Sequence, residues 1–297
     1  MNIWATLKTV LFRDGGVSLV LKSSCIRLYT AVFRARLPCP HKKMLVFRGA
    51  HFSIFLLLIF FFGFGSFSTV VYSTTNDLFR VGIFSDAQPG GSFPEGWEPL
   101  TFDNIPKHTD YTLVRDGNTV VVQAKSQQSS SGFTRKISLD PKEFPIIQWR
   151  WKVENILEQG DVSSKDGDDY PARIYITFEY DSSKVGFFEK AKYETAKLLY
   201  GEYPPIGAIN YIWGNKAPIG TIVPNPYTDR AQMIVTQSGS AKLHQWVTET
   251  HNVYEDYQKA FGEDPPNISG VAIMTDTDNT HESAIAYFGD IVFTKHQ

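Results

Sequence analysis

Two stretches, Ile147-Gln-Trp-Arg-Trp-Lys-Val153 and Ala172-Arg-Ile-Tyr-Ile-Thr-Phe-Glu-Tyr180, decide the expected fold because apolar and polar residues alternate along both. A period of two is typical of a β-strand with one buried face and one face in water. The acidic run 160–169 between them is too polar for a core and too long for a tight hairpin. Loops of this length inside a compact domain are usually functional or disordered. We therefore expect a central pair of strands joined by an acidic loop.

Short alternating segments continue along the chain from Phe79. The segments 111–114 and 119–124 flank Asp116-Gly-Asn, which predicts a hairpin because these residues suit the positive-φ positions of tight turns. The polar, Ser-rich run 127–132 predicts a loop. Further strands are predicted at 133–139, 206–213, 231–236, 240–248, 268–275 and 284–293. About ten strands at this spacing favour an all-β fold, a sandwich of two sheets or a barrel.

Two segments carry apolar residues at helical spacing. The segment 184–200 is followed by Gly201 and Pro204, and the segment 253–261 is followed by Gly262 and Pro265. Glycine and proline in these places are stop signals for helices. We expect one or two short accessory helices on the β-sandwich.

The first 73 residues differ in charge from the rest of the chain. They carry nine Lys or Arg and one acidic residue, so residues 74–297 hold 20 basic and 30 acidic groups and a net charge of −10. An acidic domain argues against nonspecific nucleic-acid binding, which needs a cationic surface. Both cysteines, Cys25 and Cys39, lie in the basic part. The domain therefore has no disulfide framework and no thiolate nucleophile.

An apolar segment separates the basic part from the acidic domain. Residues 49–76 contain no Lys, Arg, Asp or Glu. One interpretation is a signal peptide that begins at Met44 and is cleaved after Ser73. The other is a membrane anchor, because Ile54–Tyr72 supplies 19 residues of the roughly 20 that a spanning helix needs.

Both interpretations place the acidic domain across the inner membrane. We predict residues 1–43 to be a non-native upstream extension or a basic cytoplasmic tail. Residues 44–73 are predicted to be a signal peptide or membrane anchor, and residues 74–297 an exported domain, periplasmic or bound to the membrane through the uncleaved apolar segment.

Two acidic segments are candidate cation ligands. Asp168 and Asp169 lie in the acidic loop, and Asp276 and Asp278 follow the apolar strand 271–274 at a spacing that projects both to one side. Ca²⁺ prefers oxygen-rich loops of this kind. The predicted ligands of a Ca²⁺ ion are Asp168, Asp169, Asp276 and Asp278. The alternatives are a solvated acidic loop with Lys165 as its partner and an Asx-type turn at 275–279.

The polar faces of the predicted strands offer residues for a polar ligand. Aromatic rings beside cationic and amide side chains stack on sugar rings and bond their hydroxyl or carboxylate groups. The predicted ligand-binding residues are Arg150, Arg173, Tyr175, Asn210 and Trp213. The alternative for the two arginines is pairing with Glu154 and Glu179 across a sheet.

Several motifs occur in a characteristic order along the domain. They are Trp149-Arg-Trp-Lys-Val153, Gly160-Asp-Val, Lys165-Asp-Gly-Asp-Asp169, Ala172-Arg-Ile-Tyr-Ile176, Asn210-Tyr-Ile-Trp213, Asp256-Tyr257, Ala260-Phe-Gly262, Thr275-Asp-Thr-Asp-Asn279 and Ala286-Tyr-Phe-Gly-Asp290. Together they resemble the bacterial domain-of-unknown-function family 3047 from about Phe79 to Phe293. The resemblance implies an exported envelope protein and supplies no catalytic residue. The closing strand 286–293 is also similar to jelly-roll carbohydrate-binding modules, which implies a jelly-roll-like sandwich.

Three functions are consistent with these residues. The first is binding of a carbohydrate or another polar envelope ligand. The alternative is a glycan hydrolase or lyase that uses Asp168 or Asp169 with Asp276 or Asp278, which needs two carboxyl groups roughly 5–10 Å apart in one cleft. The third is a noncatalytic assembly partner in the envelope. The sequence contains no HExxH motif, nucleophile elbow or phosphate loop that would indicate another reaction class.

Overall fold

A computed structural model of the chain describes residues 77–295. The strands in this part are β1 (Leu78–Gly82), β2 (Trp97–Leu100), β3 (Asp110–Asp116), β4 (Thr119–Gln127), β5 (Ser130–Leu139), β6 (Ile146–Val153), β7 (Arg173–Phe178), β8 (Gly207–Gly214), β9 (Ile222–Asn225), β10 (Thr228–Ser238), β11 (Val247–Asn252), β12 (Ile268–Asp276) and β13 (Ser283–Thr294). The α-helices are α1 (Phe187–Tyr200) and α2 (Val253–Phe261).

The strands form two sheets. In sheet A the order is β11-β6-β13-β4-β3, and β1 also pairs with β13. In sheet B the order is β2-β5-β12-β7-β8-β10-β9. Within the described chain, neighbouring strands are antiparallel except β8 and β10, which run parallel. The expectation of an all-β, jelly-roll-like sandwich with short accessory helices is confirmed.

The main core lies between the two sheets and follows the period-two pattern of the sequence. Sheet A contributes Trp149 and Trp151 from β6, and their rings meet edge to face at 5.4 Å. Sheet B contributes Ile174 and Ile176 from β7. Trp213 of β8 packs 6.0 Å from Trp151 and joins the two layers. Buried aromatic residues supply the largest apolar areas in such a core.

The two stretches that decide the fold are not neighbours in one sheet. β6 belongs to sheet A and β7 to sheet B, so the segment 154–172 crosses from one layer to the other. The alternative pairing of Arg150 and Arg173 with Glu154 and Glu179 is not found among the described residues. Glu154 pairs with Lys152 and His244 instead, and Glu179 accepts a hydrogen bond from the Ser138 hydroxyl. The antiparallel neighbours of β7 are β12 and β8.

Sheet B is buried on both faces. On its outer face, Leu100, Phe102 and Ile105 pack against Ala272 and Met274 of β12. Farther along the same face, the residue after the acidic loop and residues of β8 and β10 form another apolar cluster: Tyr170, Ile212, Met233 and Val235. The outer face of β7, which the sequence predicted to be solvent-facing, is therefore covered by chain segments.

Both helices lie close to their predicted positions and have the expected end signals. α1 begins at Phe187, three residues later than predicted, and ends at Gly201, whose φ is 83°. α2 begins after Asn252, whose side chain accepts a hydrogen bond from the Glu255 N–H, and it ends at Gly262 with a φ of 74°. Side-chain N-caps and left-handed glycines satisfy the free backbone groups at helix ends.

Two predicted segments differ in the structure. In the Ser-rich run 127–132, Gln127 ends β4 and residues 130–132 begin β5, and Ser129, Ser130 and Ser131 are buried. Hydrogen bonds explain the burial of Ser131, because its hydroxyl donates to the Thr109 carbonyl oxygen and accepts from the Thr109 N–H. The strand predicted at 240–248 begins only at Val247, because residues 241–244 form a turn.

The predicted upstream extension, signal peptide and anchor, residues 1–73, lie outside the described residues. Among residues 77–295, none of the helices has the length and apolar character that crossing a membrane requires.

Candidate functional site

The two acidic segments meet on the outer side of sheet B. Carboxylate oxygens of Asp169, Asp276 and Asp278 all lie within 4.8 Å of one another. Asp276 is the last residue of β12, and its N–H donates to the Tyr170 carbonyl oxygen, which joins the acidic loop to the strand end. The predicted convergence of residues 168–169 with 276–278 is therefore present. We call Asp169, Asp276 and Asp278 the acidic cluster.

Arg173 forms a buried ion pair with Asp276 of the acidic cluster. Its Nε donates to Asp276 Oδ1 at 2.8 Å, and its Nη2 contacts Asp276 Oδ2. The same Nη2 donates to the Asp168 carbonyl oxygen at 2.6 Å, and Nη1 donates to the Tyr175 hydroxyl at 3.0 Å. Arg173 is 1% exposed. Its donors are thus engaged inside the protein, and it stabilises the cluster rather than meeting a ligand at the surface.

Asp169 has one satisfied and one unsatisfied carboxylate oxygen. Oδ2 accepts hydrogen bonds from the Thr280 N–H at 2.6 Å and from the Thr280 hydroxyl at 2.9 Å. Oδ1 is buried and has no hydrogen-bond partner among the described residues. Asp169 itself is 1% exposed. A buried carboxylate oxygen without a partner is costly, because its hydration is lost without replacement.

Asp168 faces a different set of partners. Its Oδ2 accepts a hydrogen bond from Asn225 Nδ2 at 2.9 Å, and its Oδ1 lies 3.5 Å from Arg173 Nη1. The structure therefore brings three of the four predicted metal ligands into one group. The fourth, Asp168, lies beside the group and contacts its counter-charge.

The electrostatics of this region are unbalanced. Burial raises the pKa of Asp169, and the nearby Asp278 raises it further. Burial also raises the pKa of Asp276 well above its usual value, Asp169 and Asp278 add to the effect, and Arg173 opposes it. Burial lowers the pKa of Arg173, but the coulombic attraction of Asp276 and Asp168 outweighs it, so the guanidinium stays protonated. One buried cation thus faces four carboxyl groups, and the excess negative charge calls for protons or a further cation.

The five predicted ligand-binding residues do not share one surface. Arg150 lies on sheet A, where its guanidinium covers the Trp246 ring at 4.6 Å. Arg173 and Tyr175 lie on the outer face of sheet B, beneath the chain segments that cover it, and Arg173 donates a hydrogen bond to the Tyr175 hydroxyl. Asn210 is fully buried on the same face, and Trp213 points into the core between the sheets.

A cleft of about 740 Å³ lies beside the acidic cluster. It is bounded by α1, by β9 and β10, and by the acidic loop. Its lining includes Lys192, Tyr193, Asn225, Tyr227 and Arg230.

Two residues connect the cleft to the acidic region. Asn225 lines the cleft and donates to Asp168. The Tyr227 hydroxyl lies 2.8 Å from Asn279 Nδ2, and the same hydroxyl donates to the Lys165 carbonyl oxygen. The sequence analysis missed these residues, since Asn225-Pro-Tyr227 carries only a turn signal.

His251 is a titratable group on β11, at the edge of sheet A, that was not among the predicted site residues. His251 Nδ1 lies 3.4 Å from Asp256 Oδ2, and Nε2 lies 3.7 Å from Glu249 Oε2. The Tyr211 hydroxyl donates to Asp256 Oδ2 at 2.9 Å. Burial lowers the pKa of His251, but the two carboxylates outweigh it and raise the pKa to about 9. His251 is therefore a cation at neutral pH.

Most of the sandwich matches a known protein family. A family model described as "Protein of unknown function (DUF3047)" matches residues 95–292. The chain belongs to this family. The match to DUF3047 contains every strand of the sandwich except β1 and the last two residues of β13. A search of curated protein sequences finds no match to this DUF3047 chain.

Solved structures show remote similarity to the DUF3047 sandwich. The carbohydrate recognition domain of Emp47p is 12% identical with a TM-score of 0.39, and the alignment covers 75% of this chain and 98% of that one. The family 30 carbohydrate-binding module of the cellulosomal cellulase Cel9D-Cel44B of Clostridium thermocellum is 12% identical with a TM-score of 0.32, covering 73% and 97%. The glycoside hydrolase domain of Endo-D, Spr0440, from Streptococcus pneumoniae R6 is 8% identical with a TM-score of 0.29, covering 68% of this chain but 22% of that one.

Proposed function

We propose that this DUF3047 domain is a noncatalytic binding module for a glycan and that its ligand occupies the cleft between α1, β9–β10 and the acidic loop. We also propose that it works as an exported protein, as the apolar segment before the domain predicts. The observation that carries the binding proposal is the cleft itself. Its lining combines tyrosine rings with amide and charged side chains.

The size and lining of the cleft suit a small oligosaccharide. Ligand pockets commonly measure about 300–1,000 Å³ and combine apolar walls with a few placed polar groups. The cleft of about 740 Å³ falls in this range. The half-buried Tyr227 offers a ring face, and Lys192 offers hydrogen-bond donors to sugar hydroxyls.

The wall of the cleft is fixed by charge pairing and stacking. Arg230 Nη2 lies 2.6 Å from Glu189 Oε1, an ion pair that joins β10 to α1. Tyr193 stacks on Tyr180 with ring centroids 4.1 Å apart. A rigid wall lowers the entropy cost of binding, because fewer side chains have to be ordered by the ligand.

The burial of the acidic cluster argues against the hydrolase alternative. Asp169 and Asp276 are only 1% and 2% exposed. A glycosidase needs its two carboxyl groups on either side of a sugar bond, with space for the sugar between them. Asp169 and Asp276 leave no such space.

The proposal is tested in two steps: the purified protein is screened on a glycan array, and the affinity for the best binder is then measured by calorimetric titration. The array carries neutral, amino-sugar and uronic-acid-containing glycans, including peptidoglycan fragments. Tyr227→Ala should weaken the best binder on the order of tenfold, because loss of a central aromatic contact costs more than about 1 kcal/mol. Tyr227→Phe should bind like the wild type, since it keeps the ring.

Trp246→Ala is the matched control, because it removes an aromatic ring from sheet A, outside the cleft. It should leave glycan affinity unchanged. Absence of any glycan binding would overturn the proposal. Equal loss in the Trp246 and Tyr227 variants would place the ligand elsewhere and would also overturn it.

A further inference from the structure

We propose that Asp169, Asp276 and Asp278 bind a Ca²⁺ ion that joins the acidic loop to the end of β12. This inference stands independently of glycan binding, because it rests on a different group of residues and is tested with the metal alone.

The distances between the carboxylate oxygens match one coordination shell. Ca²⁺ binds oxygen ligands at about 2.3–2.6 Å, so two of its ligands lie at most roughly 5 Å apart. The three carboxylate oxygens lie within 4.8 Å of one another. One ion placed among them can therefore contact an oxygen of each residue.

An unsatisfied oxygen in the cluster indicates where the ion belongs. Asp169 Oδ1 is buried without a hydrogen-bond partner, while Oδ2 is fixed by both donors of Thr280. The Thr280 bonds orient the carboxylate before any ion arrives. Buried polar atoms are satisfied in native proteins with few exceptions, and a metal ion is one of the recognised explanations for an orphan.

The charge balance of the site favours a divalent cation. Arg173 supplies one positive charge to the carboxyl groups of Asp168 and the acidic cluster. A single Ca²⁺ ion would neutralise two of the three charges left over. Asp168 is not assigned as a ligand, because the carboxylate oxygens that lie within 4.8 Å of one another belong to Asp169, Asp276 and Asp278. The Asp168 carboxylate contacts Arg173 and Asn225. It is a positioning residue for the arginine.

The ligand set favours Ca²⁺ over Mg²⁺. Several carboxylates in a loop suit the flexible shell of six to eight oxygens that Ca²⁺ takes. Mg²⁺ keeps most of its water and is usually bound through one or two carboxylates. We therefore expect Mg²⁺ to bind at least tenfold more weakly.

The test is a calorimetric titration of EDTA-treated, dialysed protein with CaCl₂ and separately with MgCl₂. The wild type should bind one Ca²⁺ per chain. At a concentration one hundred times the dissociation constant, Ca²⁺ should raise the melting temperature by about 5–10 °C. No stoichiometric Ca²⁺ binding and no rise in melting temperature would overturn the inference.

Two single-residue variants test whether the Ca²⁺ ion binds at the acidic cluster. Asp278→Asn removes the half-buried ligand and leaves the Arg173–Asp276 pair intact, so Ca²⁺ affinity should fall at least tenfold. Asp166→Asn, an exposed acid of the same loop, is the control and should bind Ca²⁺ like the wild type. Equal loss in both variants would indicate a diffuse acidic surface and refute the site.

A crossover in stability separates metal binding from a merely structural role. In EDTA, Asp278→Asn should melt at the same or a higher temperature than the wild type, because it relieves repulsion between carboxylates. In Ca²⁺ the order should reverse. A variant that is less stable by the same amount in both buffers would contradict the inference. If Asp278→Asn does not fold, the wild-type titrations with Ca²⁺ and Mg²⁺ decide.

Discussion

Replacement of Arg173 by methionine should unfold the domain at a much lower temperature. Arg173 and Asp276 are both about 2% exposed at their side chains and share two contacts. Removal of one partner of a buried ion pair costs about 3–5 kcal/mol, because it leaves the other charge uncompensated. At about 2–4 °C per kcal/mol for a domain of this size, the melting temperature should fall by about 6–20 °C.

The measurement is a urea titration with a calorimetric melt, both in EDTA. Lys136→Met is the control, because Lys136 forms an exposed ion pair with Glu202 and such pairs contribute about 0–1 kcal/mol. Asp276→Asn combined with Arg173→Met should be more stable than Arg173→Met alone, since the orphaned charge is gone. If Arg173→Met loses no more stability than Lys136→Met, the reasoning about the buried pair is refuted.

Two further predictions concern other parts of the sandwich. The pKa of His251 is raised from 6.5 in the unfolded chain to about 9 in the folded protein. Its protonated ring therefore stabilises the fold fully below pH 6.5, and this stabilisation is lost as the pH rises to 9. The unfolding free energy of the wild type should fall by up to about 3 kcal/mol over this range. His251→Gln should flatten the profile, and an unchanged slope in that variant would show that another group titrates. Gly132→Ala should cost about 1–3 kcal/mol in urea, because the new Cβ would lie 2.7 Å from the Ile273 carbonyl oxygen. Gly186→Ala, whose Cβ has no atom within 4 Å, only weakens the N-cap of α1 and should cost about 0.5–1 kcal/mol, and equal costs for the two variants would contradict the packing argument.

Much of the fold was predictable because it depends on local patterns. The alternation in Ile147–Val153 correctly identified the buried face of β6, and the glycines at 201 and 262 end both helices. The assignment of strands to sheets was not predictable in the same way. β6 and β7 are consecutive in sequence but lie in different layers, and period two does not encode which layer a strand joins.

The candidate site was predictable in part, for a physical reason. Carboxylates at 168–169 and 276–278 can lie together only when a cation or hydrogen-bond donors offset their repulsion, and the expectation of a shared cation is what predicted their convergence. The predicted ligand-binding residues depended on the assumption that one face of β7 is in water. That face is covered by other parts of the chain. The sequence gives no indication of this, because a loop as polar as 160–169 does not look like a segment that packs on a sheet. Asn210 and Trp213 differ by an odd number of positions, so a strand must project them to opposite faces.

The position of β13 has a consequence for how the domain forms during synthesis. This strand pairs with β1, β4 and β6. A nascent chain that has not yet extruded residues 283–294 from the ribosome therefore exposes the unpaired edges of β4 and β6. Half of the sandwich then depends on partners far apart in the chain, which slows folding and lengthens the time in which chaperones can capture it. Sheet A can therefore close only after β13 has been synthesised.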